Sequence, residues 1–292
     1  MPEAKVHFLS GGTQANATVI SYLLKDYQAV ISCDSGHINV HETGAVETTG
    51  TKIITVNNVK GKLTVENVKK ALKLHGDEHM VQPKMLYISS STEIGTIYSK
   101  QELYDLRKLC DEHNLYLFLD GARLASALTC KENDLQLSDL AKVCDVFYIG
   151  GTKNGLLSGE AVVLVNKDLQ KDFRYHIKNK GAMLAKGFVL GIQFEELFKD
   201  GLFFELATHA NKMAAYIKEN LTKLNVNFTI DSPTNQLFAE FETSVAKKLI
   251  DKYGCELWED KDDTYVVRFV TSYKTTLQEC NELIEDVKSL LN

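Results

Sequence analysis

The feature that most constrains this chain is a rhythm. Up to Val165, short runs of apolar, β-branched and aromatic residues alternate with stretches patterned for helices. Val6–Leu9, Ala29–Cys33, Lys52–Val56, Met85–Ser89, Leu115–Leu119, Val146–Ile149 and Ala161–Val165 read as strands. Most are apolar at successive positions rather than at alternate ones, so they are expected to be buried on both faces in a parallel or mixed sheet covered by helices. The helices between them announce their starts. Ser99 and Glu102 form a capping box ahead of Leu103, Leu106 and Cys110, and Thr64 caps a helix with Val65, Val68 and Leu72 on one face. Such alternation is the signature of an α/β fold.

Beyond about residue 170 the pattern changes. Long helices are expected over roughly 179–199 and 202–224, followed by strands at Asn227–Ile230, Gln236–Glu240, Glu256–Glu259 and Tyr265–Val270, with a helix near 243–253 and a last one from about 275. This divides the chain into a larger domain at 1–175 and connecting helices with a smaller α+β domain at 176–292, for which 292 residues at 44% hydrophobic suffice. The net charge of −6, with basic residues scattered among acidic ones, argues against a nucleic-acid partner. The six cysteines lack C-x-x-C spacing and read as reduced packing residues rather than metal ligands or disulfides. Met1–Lys5 lacks the apolar core of a signal peptide and the longest apolar runs are strand-length, so no membrane span and a cytoplasmic location are expected.

Ligands of open α/β sheets bind beyond the carboxyl ends of the strands, so residues that follow strands are the functional candidates. Val6–Leu9 runs into Ser10-Gly11-Gly12-Thr13-Gln14-Ala15-Asn16, which opens a helix. It is either a tight turn capped by Thr13 or an anion site at a helix N-terminus. Leu115–Leu119 leads to Asp120-Gly121-Ala122-Arg123. Asp120 either forms a structural ion pair with Arg123 or holds a proton on the ring nitrogen of an electron-sink cofactor. Val146–Ile149 leads to Gly150-Gly151-Thr152-Lys153-Asn154-Gly155, where a glycine pair lets the chain turn and present an amine inward. A desolvated lysine has a depressed pKa and forms Schiff bases readily.

Arginine adds a clue, because it occurs only four times among 33 basic residues. Arg107 and Arg174 read as surface residues. Arg268 interrupts the apolar run Tyr265–Val270, either as an edge-strand charge or as a planar fork that grips a carboxylate. His37 lies just past Ala29–Cys33, positioned to stack on an aromatic ring or to shuttle protons, with His41 as its competitor. Glu93 follows Met85–Ser89 as a general base or a solvated loop acid. Without the lysine and aspartate, the Gly-Gly-Thr turn alone would fit a nucleotide-binding or interaction protein.

Together, Ser10–Asn16, Gly36-His37-Ile38 with Glu42-Thr43-Gly44, Asp120–Arg123, Thr152–Gly155 and Arg268–Thr271 resemble the threonine aldolase and β-eliminating lyase group of fold-type-I pyridoxal 5′-phosphate enzymes. The resemblance covers nearly the whole chain. It implies an aspartate-aminotransferase-like fold, with a mainly parallel seven-stranded sheet and a smaller α+β domain. Gly12, Thr13 and Gln14 would hold the cofactor phosphate, His37 would stack on its ring, Asp120 would pair with its nitrogen, and Lys153, next to Thr152, would carry it covalently. Arg123 and Arg268 would bind the carboxylate of an amino-acid substrate. The implied reaction is retro-aldol cleavage of a β-hydroxy-α-amino acid to glycine and an aldehyde, with β-elimination, racemisation or a catalytically impaired homologue as alternatives. Glu93 stands where familiar threonine aldolases have a histidine near the β-hydroxyl, and the lysine loop reads Gly-Thr-Lys-Asn-Gly rather than Ser-Lys-Gly. Relatives carry an additional segment before the first strand, and the resemblance implies a homodimer or homotetramer.

Overall fold

The seven strand-like runs become one sheet in the computed structural model, which describes residues 3–291; Met1, Pro2 and Asn292, and with them part of the Met1–Lys5 reading, lie outside the described residues. The strands are β1 (Lys5–Leu9), β2 (Gln28–Cys33), β3 (Lys52–Val56), β4 (Gln82–Ser89), β5 (Tyr116–Asp120), β6 (Val146–Gly150) and β7 (Glu160–Leu164), in the order β1-β7-β6-β5-β4-β2-β3. From β3 to β6 the strands are parallel, whereas β7 runs against both β6 and β1. The first residue of β7 therefore lies at the carboxyl end of its neighbours: Glu160 is in register with Leu9 of β1 and Gly150 of β6.

The helices are α1 (Gly12–Leu23), α2 (His37–Val40), α3 (Val65–Leu74), α4 (Lys100–His113), α5 (Leu124–Thr129), α6 (Leu140–Val143), α7 (Phe173–Asn179), α8 (Phe188–Phe198), α9 (Leu202–Lys223), α10 (Thr243–Tyr253) and α11 (Leu277–Leu291). Strand side chains alternate between faces, and both faces of the sheet are dry. Leu86, Ile88, Leu117, Leu119 and Phe147 pack with α3, α4 and part of α9, while Met85, Tyr87, Phe118, Val146 and Tyr148 pack with α1 and α7. Each fully buried Phe or Leu here contributes about 1.5–3 kcal/mol relative to exposure. Both expected helix starts form: Ser99 Oγ accepts from the Glu102 N–H at 3.2 Å while Glu102 accepts from the Ser99 N–H at 2.8 Å, and Thr64 accepts from the Asn67 N–H at 3.2 Å.

The second sheet is antiparallel, ordered β10-β11-β9-β8 from β8 (Asn227–Ile230), β9 (Gln236–Glu242), β10 (Glu256–Lys261) and β11 (Thr264–Val270). The helices α9, α10 and α11 cover it. β11 is flanked on both sides, so Arg268 is not an edge-strand charge. The helix expected over 179–199 forms only over Phe188–Phe198, because α7 ends at Asn179, Gly181 adopts a left-handed conformation (φ +68°) and the chain re-enters helix only after Gly187. Arg107 is also not a surface residue; it donates to Asp145 Oδ2 at 2.7 Å and ties α4 to the entry of β6. The six cysteines are free thiols, five buried and Cys255 half-buried. Among the described residues no helix is long and apolar enough to cross a membrane.

The ends of β5 and β6 meet backbone to backbone. A Cβ on Gly121 would lie 1.9 Å from the Tyr148 carbonyl oxygen, and one on Gly150 would lie 2.6 Å from that of Ala122. Gly121→Ala is therefore expected to destabilise the chain by about 3 kcal/mol. Gly76→Ala, where the nearest atom is 3.6 Å away, is expected to stay within about 0.5 kcal/mol. Urea unfolding midpoints compare the two.

Candidate active site

Asp120 closes β5 with 3% of its surface exposed. It lies two residues after Phe118 and so shares a face with it, flanked by Tyr87 of β4 and Tyr148 of β6 and facing α1. Four donors surround the carboxylate: Asn16 Nδ2 at 3.0 Å, the Tyr87 hydroxyl at 2.6 Å, the Ala122 N–H at 2.9 Å and the Tyr148 hydroxyl. All four are neutral. The alternative of an ion pair with Arg123 is not realised; among the described residues Asp120 has no cationic partner within ion-pair distance. Hydrogen bonds to a charged acceptor contribute about 1.5–3 kcal/mol each, which offsets the cost of burying the charge without removing it.

The network continues past Asp120. Asn16 Nδ2 also donates to Glu42 Oε1 at 2.8 Å, and the same oxygen meets His37 Nδ1 at 2.9 Å. One amide thus joins two buried carboxylates, and His37 closes the line at the amino end of α2. Asn16 Oδ1 and Glu42 Oε2 are buried without a partner. Burial pulls the His37 pKa down, but the hydrogen bond to Glu42 and the charges of Glu93, Asp120 and Glu42 outweigh it and leave the pKa above 6.5.

Lys153 occupies a short turn, Thr152–Asn154, between Gly151 and Gly155, the latter at φ +103°. Asn154 Nδ2 fastens the turn to the Phe203 carbonyl at 2.9 Å. The lysine opens to the cleft and has no hydrogen bond among the described residues. Desolvation at the amine, then Arg123, lower its pKa from 10.5 against the opposing pull of Asp120, Glu93 and Glu160. Arg123 likewise has no hydrogen bond or ion pair among the described residues, and burial and Arg268 lower its pKa. Glu93 is buried, and desolvation raises its pKa above 4.5, with Asp120 adding to the rise while His37, Arg123 and Lys153 oppose it. His37, Glu93, Asp120, Arg123 and Lys153 thus form one electrostatic group.

Gly12 and Thr13 begin α1, whose N-terminus carries no side-chain cap. The Gln14 side-chain Oε1 turns back and accepts from the Ser10 N–H at 3.0 Å and from its Oγ at 2.9 Å. A Cβ on Gly12 would approach the Tyr148 hydroxyl to 2.9 Å, so glycine lets this turn lie against β6. Ser158 Oγ donates to the Ser10 carbonyl at 2.9 Å, linking the turn to the loop after Lys153.

Arg268 is already engaged. It pairs with Glu256, donates to Gln236 at 3.4 Å and stacks on Trp258 at 5.2 Å, with its Nε buried and unpartnered. Trp258 reaches His41 at 6.5 Å, and His41 reaches His37 at 5.6 Å, so a row of rings connects the second sheet to the first. A cavity of about 570 Å³ beside Arg268, bounded by Tyr253, Thr271 and Glu279, holds no other candidate residue. Sequence reasoning gave no role to Tyr87, Tyr148 and Glu160, nor to Asn16 and Glu42, which it met only as members of motifs. The tyrosines look like ordinary strand aromatics, but a glutamate heading the apolar run Ala161–Leu164 was a visible signal.

The sequence matches the family of β-eliminating lyases over residues 2–244. It is 29% identical over 299 residues to a low specificity L-threonine aldolase of Pseudomonas aeruginosa, covering 99% of this chain and 84% of that protein. The structure superposes on that of a threonine aldolase from Leishmania major with a TM-score of 0.97 and 48% identity, covering 100% of this chain and 85% of that one. An aspartate aminotransferase from Thermotoga maritima, at 15% identity and a TM-score of 0.73, covering 98% and 76% respectively, shares the fold.

Asn16→Ala removes the donor common to Asp120 and Glu42 and leaves both buried carboxylates short of a partner. A loss of about 1–3 kcal/mol in unfolding free energy is expected by urea denaturation.

Proposed function

We propose a function from one premise: the chain belongs to the β-eliminating lyase family. It is a pyridoxal-phosphate-dependent lyase of the threonine aldolase kind, which cleaves a β-hydroxy-α-amino acid to glycine and an aldehyde. The observation that carries this reading is the charge imbalance of the cleft. Asp120 is a buried carboxylate held only by neutral donors, while Arg123 and Lys153 are cationic groups without hydrogen-bond partners among the described residues. A ligand with a protonated ring nitrogen, an aldehyde and an anionic phosphate, joined by a substrate carboxylate, answers each of these needs.

In this reading Lys153 would hold the cofactor through its amine, Asp120 would pair with its ring nitrogen and His37 would lie against its ring. Gly12, Thr13 and Gln14 at the uncapped N-terminus of α1, with Thr152, would hold its phosphate. When bound, pyridoxal phosphate supplies an electron sink for the pair released at the substrate α-carbon. Arg123 would fix the substrate carboxylate and so select which α-carbon bond is presented for cleavage. Arg268, steadied by Trp258 and Glu256, adds positive charge on the same side. Glu93 takes the β-hydroxyl proton; the Cα–Cβ bond then breaks, the hydroxyl oxygen becomes the aldehyde carbonyl, and a proton returned to the α-carbon completes glycine.

We further infer that two or more copies associate. Leu157, four residues after Lys153, is 93% exposed, and its N–H is held at 3.0 Å by Gln193 of α8, whose Phe188 and Ile192 are 62% and 59% exposed. An apolar face of this kind beside a reactive lysine suits a second copy of the chain. A cytoplasmic setting agrees with six free cysteines.

Incubation with pyridoxal phosphate and a panel of threonine, allo-threonine, phenylserine, serine and cysteine tests the reaction. Glycine with the matching aldehyde is expected; pyruvate and ammonia in their place would sink the assignment. Lys153→Ala is expected to lose the visible absorption of the lysine-bound cofactor, whereas Glu93→Gln keeps it and loses roughly 10²–10⁴-fold in kcat. Glu93 must be ionised to accept a proton, and its pKa is raised, so the rate falls with decreasing pH through a value above 4.5. That acidic limb is expected to disappear in Glu93→Gln. Sedimentation velocity should show a dimer or tetramer for the parent and smaller species for Leu157→Arg.

A further inference from the structure

Glu160 heads β7, 4% exposed, at the edge of the sheet where the other strands end. Its Oε2 accepts the Gly151 N–H at 3.0 Å, and its carboxylate accepts the Thr152 hydroxyl. Thr152 Oγ1 in turn accepts the Gly159 N–H at 3.1 Å, so the hydroxyl has its proton free to give to Glu160. The two residues that precede Lys153 are thus both tied to one buried carboxylate. The tie closes a ring of contacts through Thr152, Gly159 and Glu160 at the base of the loop that carries the amine.

We propose that Glu160 is a positioning residue for Lys153: its buried carboxylate fixes the turn that carries the amine and, once ionised, stabilises the ammonium form of that amine. The proposal rests on the reading of Lys153 as the residue that holds the cofactor. A neutral side chain of similar shape would serve as a strut, but it would leave only Asp120 and Glu93 to offset desolvation and Arg123 at the amine. Burial pushes the Glu160 carboxyl up to about 7, partly opposed by the bonds from Thr152 and Gly151. The titratable groups that act on it are Asp120 of β5, Tyr148 of β6 and Lys153 itself. Asp120 favours the protonated form of Glu160, and Lys153 favours the ionised one. Below about 7 the group is a neutral acid and the amine is released more easily; above it the carboxylate holds the ammonium.

Competitive reductive methylation of the 292-residue, cofactor-free chain reads the amine directly, with Lys153 measured against the other lysines of the same digest. At pH 8 the Lys153 amine of Glu160→Gln is expected to react about 3-fold faster than in the parent, and that of Glu160→Asp at close to the parent rate. In the cofactor-loaded protein, the midpoint at which visible absorption changes with pH is expected to fall by roughly half a unit in Glu160→Gln. The parent alone supplies another reading: between pH 6 and 8 the logarithm of Lys153 labelling should rise less steeply than one per pH unit as Glu160 ionises. Labelling of Glu160→Gln that matches the parent would overturn the proposal, as would a parent slope of one throughout. Neither labelling outcome depends on which substrate the enzyme cleaves, so a failed panel of β-hydroxy amino acids and a failed Glu160 are separate results.

Discussion

A carboxylate buried without a cation governs this structure. Asp120 is accommodated there because two tyrosine hydroxyls, one asparagine amide and one backbone N–H converge on it, and each comes from a different part of the chain. Tyr87 and Tyr148 must stand on the strands either side of β5, and Asn16 must lie on the helix that crosses the same face. Parallel pairing of β4, β5 and β6 satisfies the two tyrosine demands, and the α1 packing that buries Val19 and Ile20 delivers Asn16. Satisfying the carboxylate and assembling the site are one operation. The residual negative potential is what the unpartnered cations across the cleft face.

The reversed strand β7 extends the same logic to the lysine. Had it run parallel to β6, its first residue would lie at the opposite edge of the sheet, and Glu160 could not reach Gly151. Reversal requires a short connection from β6, and the glycines at 151, 155 and 159 make one, with Gly155 and Gly159 both at positive φ. Backbone economy at this turn therefore produces the projecting amine. The β5–β6 contact at Gly121 and Gly150 keeps Asp120 and the lysine turn within electrostatic range.

Much of the frame was legible because its physics is local. Apolar runs buried on both faces name the seven strands, and Ser99 with Glu102 names a helix start without reference to the rest of the chain. Lys153, Asp120, Arg123 and His37 were legible because each follows a strand, and the topology then brings that edge together. Less legible were residues whose role depends on partners distant in sequence. Asn16 meets Asp120 from 104 residues away, and nothing in Ala15-Asn16-Ala17 shows it. Tyr87 and Tyr148 carry hydroxyls on rings that strand periodicity counts only as apolar. The helix expected over 179–199 was overextended at its start, because left-handed Gly181, a matter of backbone conformation rather than polarity, follows the end of α7 and helix resumes only at Phe188.

Trp258 is the single tryptophan of the chain. It touches His41 from the first sheet's loops, and it lies against Phe238 and Arg268 within the second sheet. Indole emission responds to nearby charge and to imidazole protonation, so its fluorescence spectrum reports the seam between the two sheets without a label. The protein carries its own optical gauge at the place where a carboxylate-bearing molecule would draw on Arg268.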